Sequence, residues 1–465
     1  MFRLSIAVIS SLVTLSTAIS LPFEARPRTL PLVDASSKDA SFNFSNSNVN
    51  SKPGADIYIA SLTAGGAAFE VQLDTGSSDL WLDTTNSKPS GTQDTGLATG
   101  IKYGDGTVAQ GSILIANVTF GNFSVPQAFI SAPGTNATSN GDTGLLGVGP
   151  TGISSVATTL NATAFNGATL LGNASIPIFA ANPTEPNYIT FQLSRSQSTG
   201  ISSGGTFTIG ELNSTLSGIS NAPQLDVVSP NRWIVFMDGI IVNGKNITGN
   251  SQFNMTGQGP TQTLANLDTG TGLAQIPKVY ADAIYSGIPG VQFVPSLGGY
   301  GVPCDTKIDL SFVFGGVAYP VHPIDTVQAM AGPDGTIICF SGFLVSPAGD
   351  NFQDFLLGDS FLRSVYSLYD YGSFISGTTP PFIQLLSTTD ASASDSEFAA
   401  LSAQRNASIA GTVPSTGGGG GSGGGGGSGN GAGSGTGGKS GASRSTMLST
   451  AIHSAIVFGV VMALN

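Results

Sequence analysis

The chain has 465 residues, of which only 9% are charged, and 28 acids outweigh 16 bases to give a net charge of −12. This acidic balance argues against a nucleic-acid-binding protein, which needs a basic face, and 40% hydrophobic residues argue against wholesale disorder. The only histidines are His322 and His453 and the only cysteines are Cys304 and Cys339, so a clustered zinc or iron–sulfur site is nearly excluded. We therefore expect no metal or cofactor, and any catalysis must rely on carboxylates or hydroxyls.

The N-terminus has the features of a secretory signal peptide. Arg3 supplies a positive charge, an apolar run covers residues 4–15, and small residues surround residues 18–20. The run is shorter than the roughly 20 apolar residues that span a bilayer. A signal peptide over residues 1–20 is therefore favoured over the alternative, a membrane helix.

Glycosylation and disulfide formation are expected in an exported chain. Ten Asn-x-Ser/Thr sequons occur, and two of them, Asn43 and Asn406, lie near the ends of the chain. The eight candidate glycosylation sites between them are Asn117, Asn122, Asn136, Asn161, Asn173, Asn213, Asn246 and Asn254. In an oxidising compartment, pairing of Cys304 with Cys339 is favoured over two free buried thiols.

The middle of the chain has the texture of an all-β protein. From about residue 57 to residue 386, short apolar or alternating runs such as FEVQL at 69–73 and LSFVF at 310–314 are separated by Gly, Asn and Pro. Strand-length runs with frequent turn residues predict a sandwich or barrel.

One acidic motif occurs twice within this region. LDTGS at residues 73–77 recurs as LDTGT at residues 267–271, and each copy is followed by Leu-Leu-Gly, at 145–147 and at 356–358. A single Asp-Thr-Gly predicts only a turn. Two copies in the same order, about one domain length apart, indicate two pseudo-symmetric halves.

Two such halves can place Asp74 and Asp268 face to face. Two unit charges about 3 Å apart repel by roughly 5 kcal/mol at an effective dielectric near 20, so both carboxylates cannot ionise together. The pair then shares one proton. One carboxylate can take a proton from water while the other donates one to a carbonyl, which is hydrolysis by general acid–base chemistry.

These motifs resemble those of the pepsin-like aspartic proteases over roughly residues 56–388, and the layout is most similar to that of the glycolipid-anchored fungal members. The matching segments are VQLDTGSSDLW at 71–81, IKYGDGT at 101–107, GTFTIG at 205–210, RWIV at 232–235, ANLDTGT at 265–271, FLLGDSFLR at 355–363 and YSLYD at 366–370. The resemblance implies a bilobal all-β fold of two pseudo-symmetric, β-barrel-like lobes with the active-site cleft between them. It also implies a pro-segment over residues 21–54, an N-terminal lobe over 55–225 and a C-terminal lobe over 226–388.

The resemblance further implies roles for the motif residues, with Asp74 and Asp268 as the catalytic pair. Six supporting residues would hydrogen-bond the carboxylates, cross-link the two loops or let the backbone approach them: Thr75, Gly76, Ser77, Thr269, Gly270 and Thr271.

The resemblance also implies a flap, a hairpin that covers the substrate. Its residues are Tyr103, Gly104 and Asp105, and Trp81 would hold the Tyr103 hydroxyl. An ordinary hairpin aromatic and a solvated turn acid are the alternative interpretations of Tyr103 and Asp105. The second motif departs from the family at Gly272, where relatives carry Ser or Thr, and loss of that side chain could loosen the loop.

The C-terminus predicts a surface anchor. A linker over residues 389–440 ends in a Gly/Ser tract, and a hydrophobic tail follows over residues 441–465. Small residues, a polar spacer and a terminal apolar run form a glycosylphosphatidylinositol signal, with Ser440 and Asn430 as candidate attachment residues. The alternative is a single-pass membrane anchor, and either would tether the protein to the plasma membrane or cell wall.

The leading hypothesis is a secreted, surface-anchored aspartic endopeptidase, made as a zymogen, monomeric and active in acid on peptides or proteins. The alternative is a non-catalytic wall or adhesion protein on the same scaffold, which would have lost an aspartate or the flap. A serine hydrolase would rest only on the Gly-x-Ser-x-Gly match at 420–424, which lies inside the Gly/Ser tract.

Overall fold

A computed structural model describes most of the body of the chain. The described residues are 19–27, 56–103, 106–138, 141–161, 175–195, 202–249, 251–295, 297–331, 336–346, 353–375 and 379–412. The predicted signal peptide up to residue 18, most of the predicted pro-segment and the predicted anchor signal with Ser440 and Asn430 lie outside these residues. No helix in the described ranges is both long and apolar enough to cross a membrane.

Ten strands form the N-terminal half, and their side chains alternate as the pleat requires. In FSVPQAFIS, for example, Phe123, Val125 and Gln127 are buried while Ser124 and Pro126 are exposed. The strands are β1 Ile19–Pro27, β2 Asp56–Ala64, β3 Ala67–Asp74, β4 Leu80–Leu82, β5 Gln93–Lys102, β6 Val108–Phe120, β7 Phe123–Ser131, β8 Gly144–Gly147, β9 Tyr188–Leu193 and β10 Ser202–Ile209.

The C-terminal half contains sixteen further strands in the described residues, and the helices of those residues are short except for the last one. The strands are β11 Leu225–Asp226, β12 Ile234–Met237, β13 Gly239–Val242, β14 Lys245–Ile247, β15 Thr263–Leu267, β16 Ala274–Ile276, β17 Gln292–Val294, β18 Gly299–Gly301, β19 Leu310–Phe314, β20 Val317–Val321, β21 Val327–Ala331, β22 Ile337–Ser341, β23 Phe343–Val345, β24 Phe355–Leu357, β25 Val365–Asp370 and β26 Phe382–Ser387. The α-helices are α1 Ser155–Asn161, α2 Ser175–Ala181, α3 Lys278–Tyr285, α4 Asp359–Leu362 and α5 Ala391–Thr412, and 3₁₀ turns cover Thr151–Ile153, Ser214–Asn221, Pro323–Thr326 and Gly372–Phe374.

The two halves repeat one strand arrangement. In the N-terminal half the order is β3-β8-β4-β7, and in the C-terminal half it is β15-β24-β16-β23. In both, the first and second strands are parallel, the second and third antiparallel, and the third and fourth parallel. The predicted all-β fold with two pseudo-symmetric halves is therefore confirmed.

One large sheet joins the two halves. In the described residues, its thirteen strands run in the order β11-β26-β25-β9-β10-β1-β2-β3-β8-β4-β7-β6-β5, so β25 of the C-terminal half pairs with β9 of the N-terminal half. The predicted boundary after residue 225 falls inside β11, which itself pairs with β26. The lobes are thus connected by a continuous hydrogen-bonded sheet in addition to the chain between them.

Strand β1 lies in the middle of that sheet, although the sequence predicts a signal peptide up to residue 20 and a pro-segment from residue 21. It pairs with β10 on one side and with β2 on the other. The buried Phe23 ring packs edge-on against Tyr58, at 5.6 Å between centroids, and against Phe191 at 6.4 Å. The start of the predicted pro-segment is therefore part of the folded core.

The predicted linker is wrong over its first part. Residues 391–412 form α5, which packs on β21 and on the 3₁₀ turn before it. Phe398 and Arg405 of α5 are buried, and Lys307 forms an ion pair with Asp395 at 2.8 Å. The rest of the predicted linker, from residue 413, lies outside the described residues.

The predicted disulfide is present. Cys304 and Cys339 are joined with an S–S distance of 2.01 Å, which ties the loop after β18 to β22. The Val302 amide also donates to the Cys339 carbonyl at 3.1 Å, so the bridge reinforces an existing backbone contact.

Candidate active site

The two Asp-Thr-Gly loops follow buried strands. Asp74 ends β3 and Asp268 follows β15, and both strands are parallel to a Leu-Leu-Gly strand of their own half. Apolar residues such as Leu73 and Leu267, each fully buried, hold these strands in the core. The second repeated element is therefore the structural partner of the first, which explains why the two occur together in sequence.

The carboxyl groups of Asp74 and Asp268 are held by equivalent donors. The Gly76 amide donates to Asp74 Oδ1 at 2.7 Å and the Ser77 hydroxyl to Oδ2 at 2.5 Å. In the other half, the Gly270 amide donates to Asp268 Oδ1 at 2.8 Å, and the Thr271 hydroxyl to Oδ2 at 2.8 Å. Each carboxyl is thus fixed in the plane set by its own loop.

The two carboxyl groups also lie against each other's loops. A Cβ added to Gly76 would lie 2.5 Å from the Asp268 carboxyl atoms, and one added to Gly270 would lie 2.3 Å from Asp74 Oδ1. Real Cβ atoms do not approach so closely, so only glycine fits at either position. The glycines let each carboxyl approach the opposite loop, which brings the pair together across the pseudo-twofold axis.

Electrostatics of the pair favour a shared proton. Burial raises the pKa of Asp74 above its ordinary value, and the neighbouring charge of Asp268 raises it further. The Ser77 hydroxyl and Gly76 amide oppose this rise because they stabilise the ionised form. Since the rise prevails, the pair retains one proton well above the usual carboxyl range.

A pair of threonines cross-links the two loops. The Thr75 amide donates to Thr269 Oγ1 at 3.1 Å, and the Thr269 amide donates to Thr75 Oγ1 at 3.0 Å. Each hydroxyl then donates to a carbonyl of the opposite half, Thr75 to Leu267 at 2.9 Å and Thr269 to Leu73 at 3.0 Å. Four buried hydrogen bonds therefore set the separation of the two loops.

The structure also brings Trp81 and Tyr103 together. The buried Trp81 of β4 donates its indole N–H to the Tyr103 hydroxyl at 2.7 Å. Tyr103 follows β5 and packs against the small hydrophobic cluster that contains Trp81. The other two predicted flap residues, Gly104 and Asp105, lie outside the described residues.

The two loops are held differently at the position after the carboxylate-binding hydroxyl. Ser78 donates its hydroxyl to the Pro150 carbonyl, whereas the equivalent Gly272 has no side chain. The Gly272 carbonyl instead accepts from the Ser360 amide at 3.3 Å. The loop after Asp268 is thus held by a hydrogen bond from its backbone to α4.

Asp79 is a supporting residue whose role the sequence did not reveal. Its carboxylate accepts from the Ser154 hydroxyl at 2.5 Å and from the amides of Ser155 at 2.8 Å and Val156 at 3.1 Å. It therefore caps the start of α1 and fixes the end of the first motif, while burial raises its pKa. Asp79 stands inside a motif, which is a signal of importance, but nothing local points to partners some 75 residues away.

The predicted glycosylation sites divide by exposure. Asn161 and Asn173 have side chains outside the described residues, and Asn213 is half-buried with its amide nitrogen donating to Gln192 at 3.0 Å. A glycan on Asn213 would require that bond to break. The exposed candidates are Asn117, Asn122, Asn136, Asn246 and Asn254.

Comparisons with known proteins identify the family of the chain. The model of the eukaryotic aspartyl protease family matches residues 57–378. The chain is 26% identical over 346 residues to an aspartic protease of Phaffia rhodozyma, covering 68% of this chain and 74% of that relative. It is 28% identical over 331 residues to penicillopepsin-2 of Penicillium janthinellum, covering 67% and 75%. Over 285 residues it is 28% identical to the probable aspartic-type endopeptidase CTSD of Arthroderma benhamiae, covering 58% of this chain and only 47% of the relative.

The fold and the family match define a pepsin-like aspartic protease. The chain belongs to the eukaryotic aspartyl protease family, and its enzyme class is that of the aspartic-type endopeptidases.

Proposed function

We propose that this protein hydrolyses peptide bonds in acid, with Asp74 and Asp268 as the catalytic pair. The observation that carries the proposal is the mutual packing of the two loops, in which each glycine leaves room for the opposite carboxyl group. A buried, hydrogen-bonded carboxyl pair that shares one proton has both an acid and a base at one point.

The reaction follows from that arrangement. A water molecule between the carboxyl groups gives a proton to the ionised carboxylate and attacks the peptide carbonyl carbon. The protonated carboxyl donates its proton to the carbonyl oxygen, which yields a neutral tetrahedral diol. As the diol collapses, one of its hydroxyl groups returns a proton to the carboxylate that had donated one, and the C=O bond re-forms. The C–N bond breaks, and the amine leaves with the proton from the carboxyl that received one from water. The pair ends with one proton, as it began.

The proposed acid optimum has the same origin. The reaction needs one protonated and one ionised carboxyl, and burial with the neighbouring negative charge keeps the proton on the pair as the pH rises from acid. Loss of that proton at higher pH removes the general acid, so activity declines toward alkaline pH.

We also propose that the enzyme is exported as a glycosylated, monomeric precursor and held at the outer surface by a lipid anchor. The support is the N-terminal apolar run, the sequons, the single disulfide and the C-terminal Gly/Ser tract with its apolar tail. The anchored chain would act on peptide or protein substrates near the plasma membrane or cell wall.

The test is hydrolysis of a peptide library by the purified chain across acid to neutral pH. We expect Asp74→Asn and Asp268→Asn each to lower kcat by at least about a thousandfold, because the shared proton or its acceptor is lost. Asp309→Asn, an exposed carboxylate away from the loops, is the matched control and should keep full activity.

Retained hydrolysis by either loop variant would remove the carboxyl pair from the mechanism. A folded wild type that neither hydrolyses peptides nor binds a statine-type peptide inhibitor would favour the adhesion protein.

A further inference from the structure

The hairpin that carries Tyr103 extends beyond its sheet. Strand β6 pairs with β7 only from Ser112, opposite Ser131, whereas β6 itself begins at Val108. Residues 108–111, here called the β6 arm, therefore extend past the end of β7. The backbone groups of this arm that face the β7 side need other hydrogen-bond partners.

The loop after β7 supplies those partners through side chains. The Val108 amide donates to Asn136 Oδ1 at 2.8 Å, and the Thr135 hydroxyl donates to the Val108 carbonyl at 2.7 Å. The Ala137 amide donates to Thr135 Oγ1 at 3.1 Å, which orients that hydroxyl. Both backbone groups of Val108 are thus held where a strand partner would otherwise lie.

Val108 is linked to Tyr103 through its chain neighbour Thr107. The neighbouring Thr107 is buried, and its carbonyl accepts from the Tyr103 amide at 2.9 Å. Tyr103 and Ala137 pack on the same hydrophobic cluster, which includes Trp81. A shift of the β6 arm at Val108 would therefore move Tyr103 relative to Trp81.

We propose that Thr135 and Asn136 are positioning residues for substrate binding, because they fix the β6 arm and, through Thr107, the position of Tyr103. This inference rests on the proposed function, since it concerns the placement of Tyr103, which the family resemblance assigns to the cover over the substrate. Neither residue touches the reacting atoms, so the effect should appear in the affinity for substrate more than in the turnover rate.

Asn136 is also the acceptor of a sequon, Asn136-Ala137-Thr138, which permits a clean separation of the two roles. The hydrogen bond uses Oδ1, whereas a glycan would be attached to the amide nitrogen, so attachment leaves this contact intact. Thr138→Ala removes the sequon alone. Asn136→Ala removes the sequon and the acceptor, and Asn136→Asp removes the sequon but keeps an acceptor oxygen.

The experiment compares the three variants with wild type in KM, kcat and affinity for a statine-type peptide inhibitor. Relative to Thr138→Ala, we expect Asn136→Ala to raise KM and the inhibitor Kd about 3- to 10-fold, with kcat little changed, as loss of one hydrogen bond implies. Asn136→Asp should match Thr138→Ala. An Asn136→Ala variant indistinguishable from Thr138→Ala in KM and Kd would overturn the proposal.

Hydrogen exchange of the Val108 amide provides a readout that needs no activity. It should exchange slowly in Thr138→Ala and Asn136→Asp and at least about tenfold faster in Asn136→Ala, while the melting temperatures stay close together. Equal exchange rates in all three variants would show that Asn136 does not hold the arm, whatever the enzyme does. An inactive wild type with the expected exchange pattern would instead contradict the proposed function alone.

Discussion

Few residue types build the two Asp-Thr-Gly loops, and the need for each type follows from the space available or from its hydrogen bonds. Thr75 and Thr269 each use a hydroxyl as both donor and acceptor, which valine of the same shape could not do. Gly76 and Gly270 are required because the opposite carboxyl occupies the space of a Cβ. The repeated Asp-Thr-Gly is therefore a geometric unit that works only in pairs.

The raised pKa of Asp74 predicts a pH dependence of stability. Because the folded state binds this proton more tightly than the unfolded state, the contribution is complete below the ordinary carboxyl pKa of 3.8 and is lost as the pH rises toward the raised value. Asn cannot titrate, so we expect the free energy of unfolding of wild type minus that of Asp74→Asn to fall from about pH 4 to about pH 7, by at most about 1.4 kcal/mol per pH unit. Urea unfolding at a series of pH values measures it.

The control is Asp309→Asn, for which the same difference should be small and nearly constant. A flat difference for Asp74→Asn over the whole window would mean that the carboxyl is not held in its protonated form by burial and by Asp268.

At the residue scale the sequence predicted the loops but not what supports them. The two Asp-Thr-Gly motifs are recognisable because each is a short continuous segment that occurs twice. The hydrogen-bond partners of Asp79 and Asn136 are brought near only by folding. Asp79 binds the Val156 amide 77 residues away, and Asn136 binds the Val108 amide 28 residues away. No local sequence pattern distinguishes these two residues from the exposed Asp and Asn residues of the surface.

The secondary-structure elements at the two ends of the body were the least predictable. Strand β1 was expected to belong to removable segments, yet it is hydrogen-bonded on both edges. Helix α5 was predicted to be part of the linker that ends in the Gly/Ser tract, and its apolar residues do not form a stripe along one face. What fixes α5 is a small number of long contacts to loops of the C-terminal lobe, which no helical periodicity reveals.

Arg405 is the central contact of α5. Its guanidinium is buried and donates to the carbonyls of Val327 at 2.5 Å, Ile324 at 3.3 Å and Cys304 at 3.5 Å. Since charged hydrogen bonds contribute about 1.5–3 kcal/mol, we expect Arg405→Ala to lower the free energy of unfolding by about 2–4 kcal/mol. Chemical unfolding of the full chain measures the loss.

The matched control is Gln404→Ala, an exposed position on the same helix, which should change stability by less than about 0.5 kcal/mol. Equal effects of the two substitutions would mean that α5 does not depend on its buried arginine.

On the scale of the whole molecule, the two lobes are held together by more than the carboxyl loops. The Tyr371 hydroxyl donates to the Val148 carbonyl of the other lobe at 2.6 Å, and Trp233 packs against Tyr369 and Tyr371 with both ring centroids at 5.2 Å. Together with the pairing of β25 and β9, these contacts make the separation of the two Asp-Thr-Gly loops a property of the entire fold. The bilobal class was predictable from the repeat, but the shared sheet was not, because pairing between strands so distant in sequence has no local signal.

A buried ion cluster also spans the lobes. The Asp325 carboxylate accepts from Arg195 of the N-terminal lobe at 2.6 Å and from Arg363 at 2.9 Å. Arg195 also donates to the hydroxyl of Ser364 at 2.8 Å. The two guanidinium groups prevail over burial and hold the pKa of Asp325 below its ordinary value. This carboxylate therefore stays ionised in the acid where the catalytic pair is proposed to work.

Substitution of Asp325 should consequently destabilise the enzyme in a pH-dependent way opposite to that of Asp74. Asp325→Asn leaves the buried Arg363 guanidinium and the partly buried Arg195 guanidinium without their shared anion, and we expect a loss of about 3–5 kcal/mol at neutral pH. Because the folded-state pKa is depressed, the stabilisation is present above the ordinary value of 3.8 and disappears as the pH falls through the lowered one.

Wild type and Asp325→Asn should thus converge in stability only in strong acid, whereas the exposed Asp226→Asn control should follow wild type throughout. If the difference in unfolding free energy between Asp325→Asn and wild type stayed constant down to the lowest pH, ionisation of Asp325 would not be what stabilises the fold.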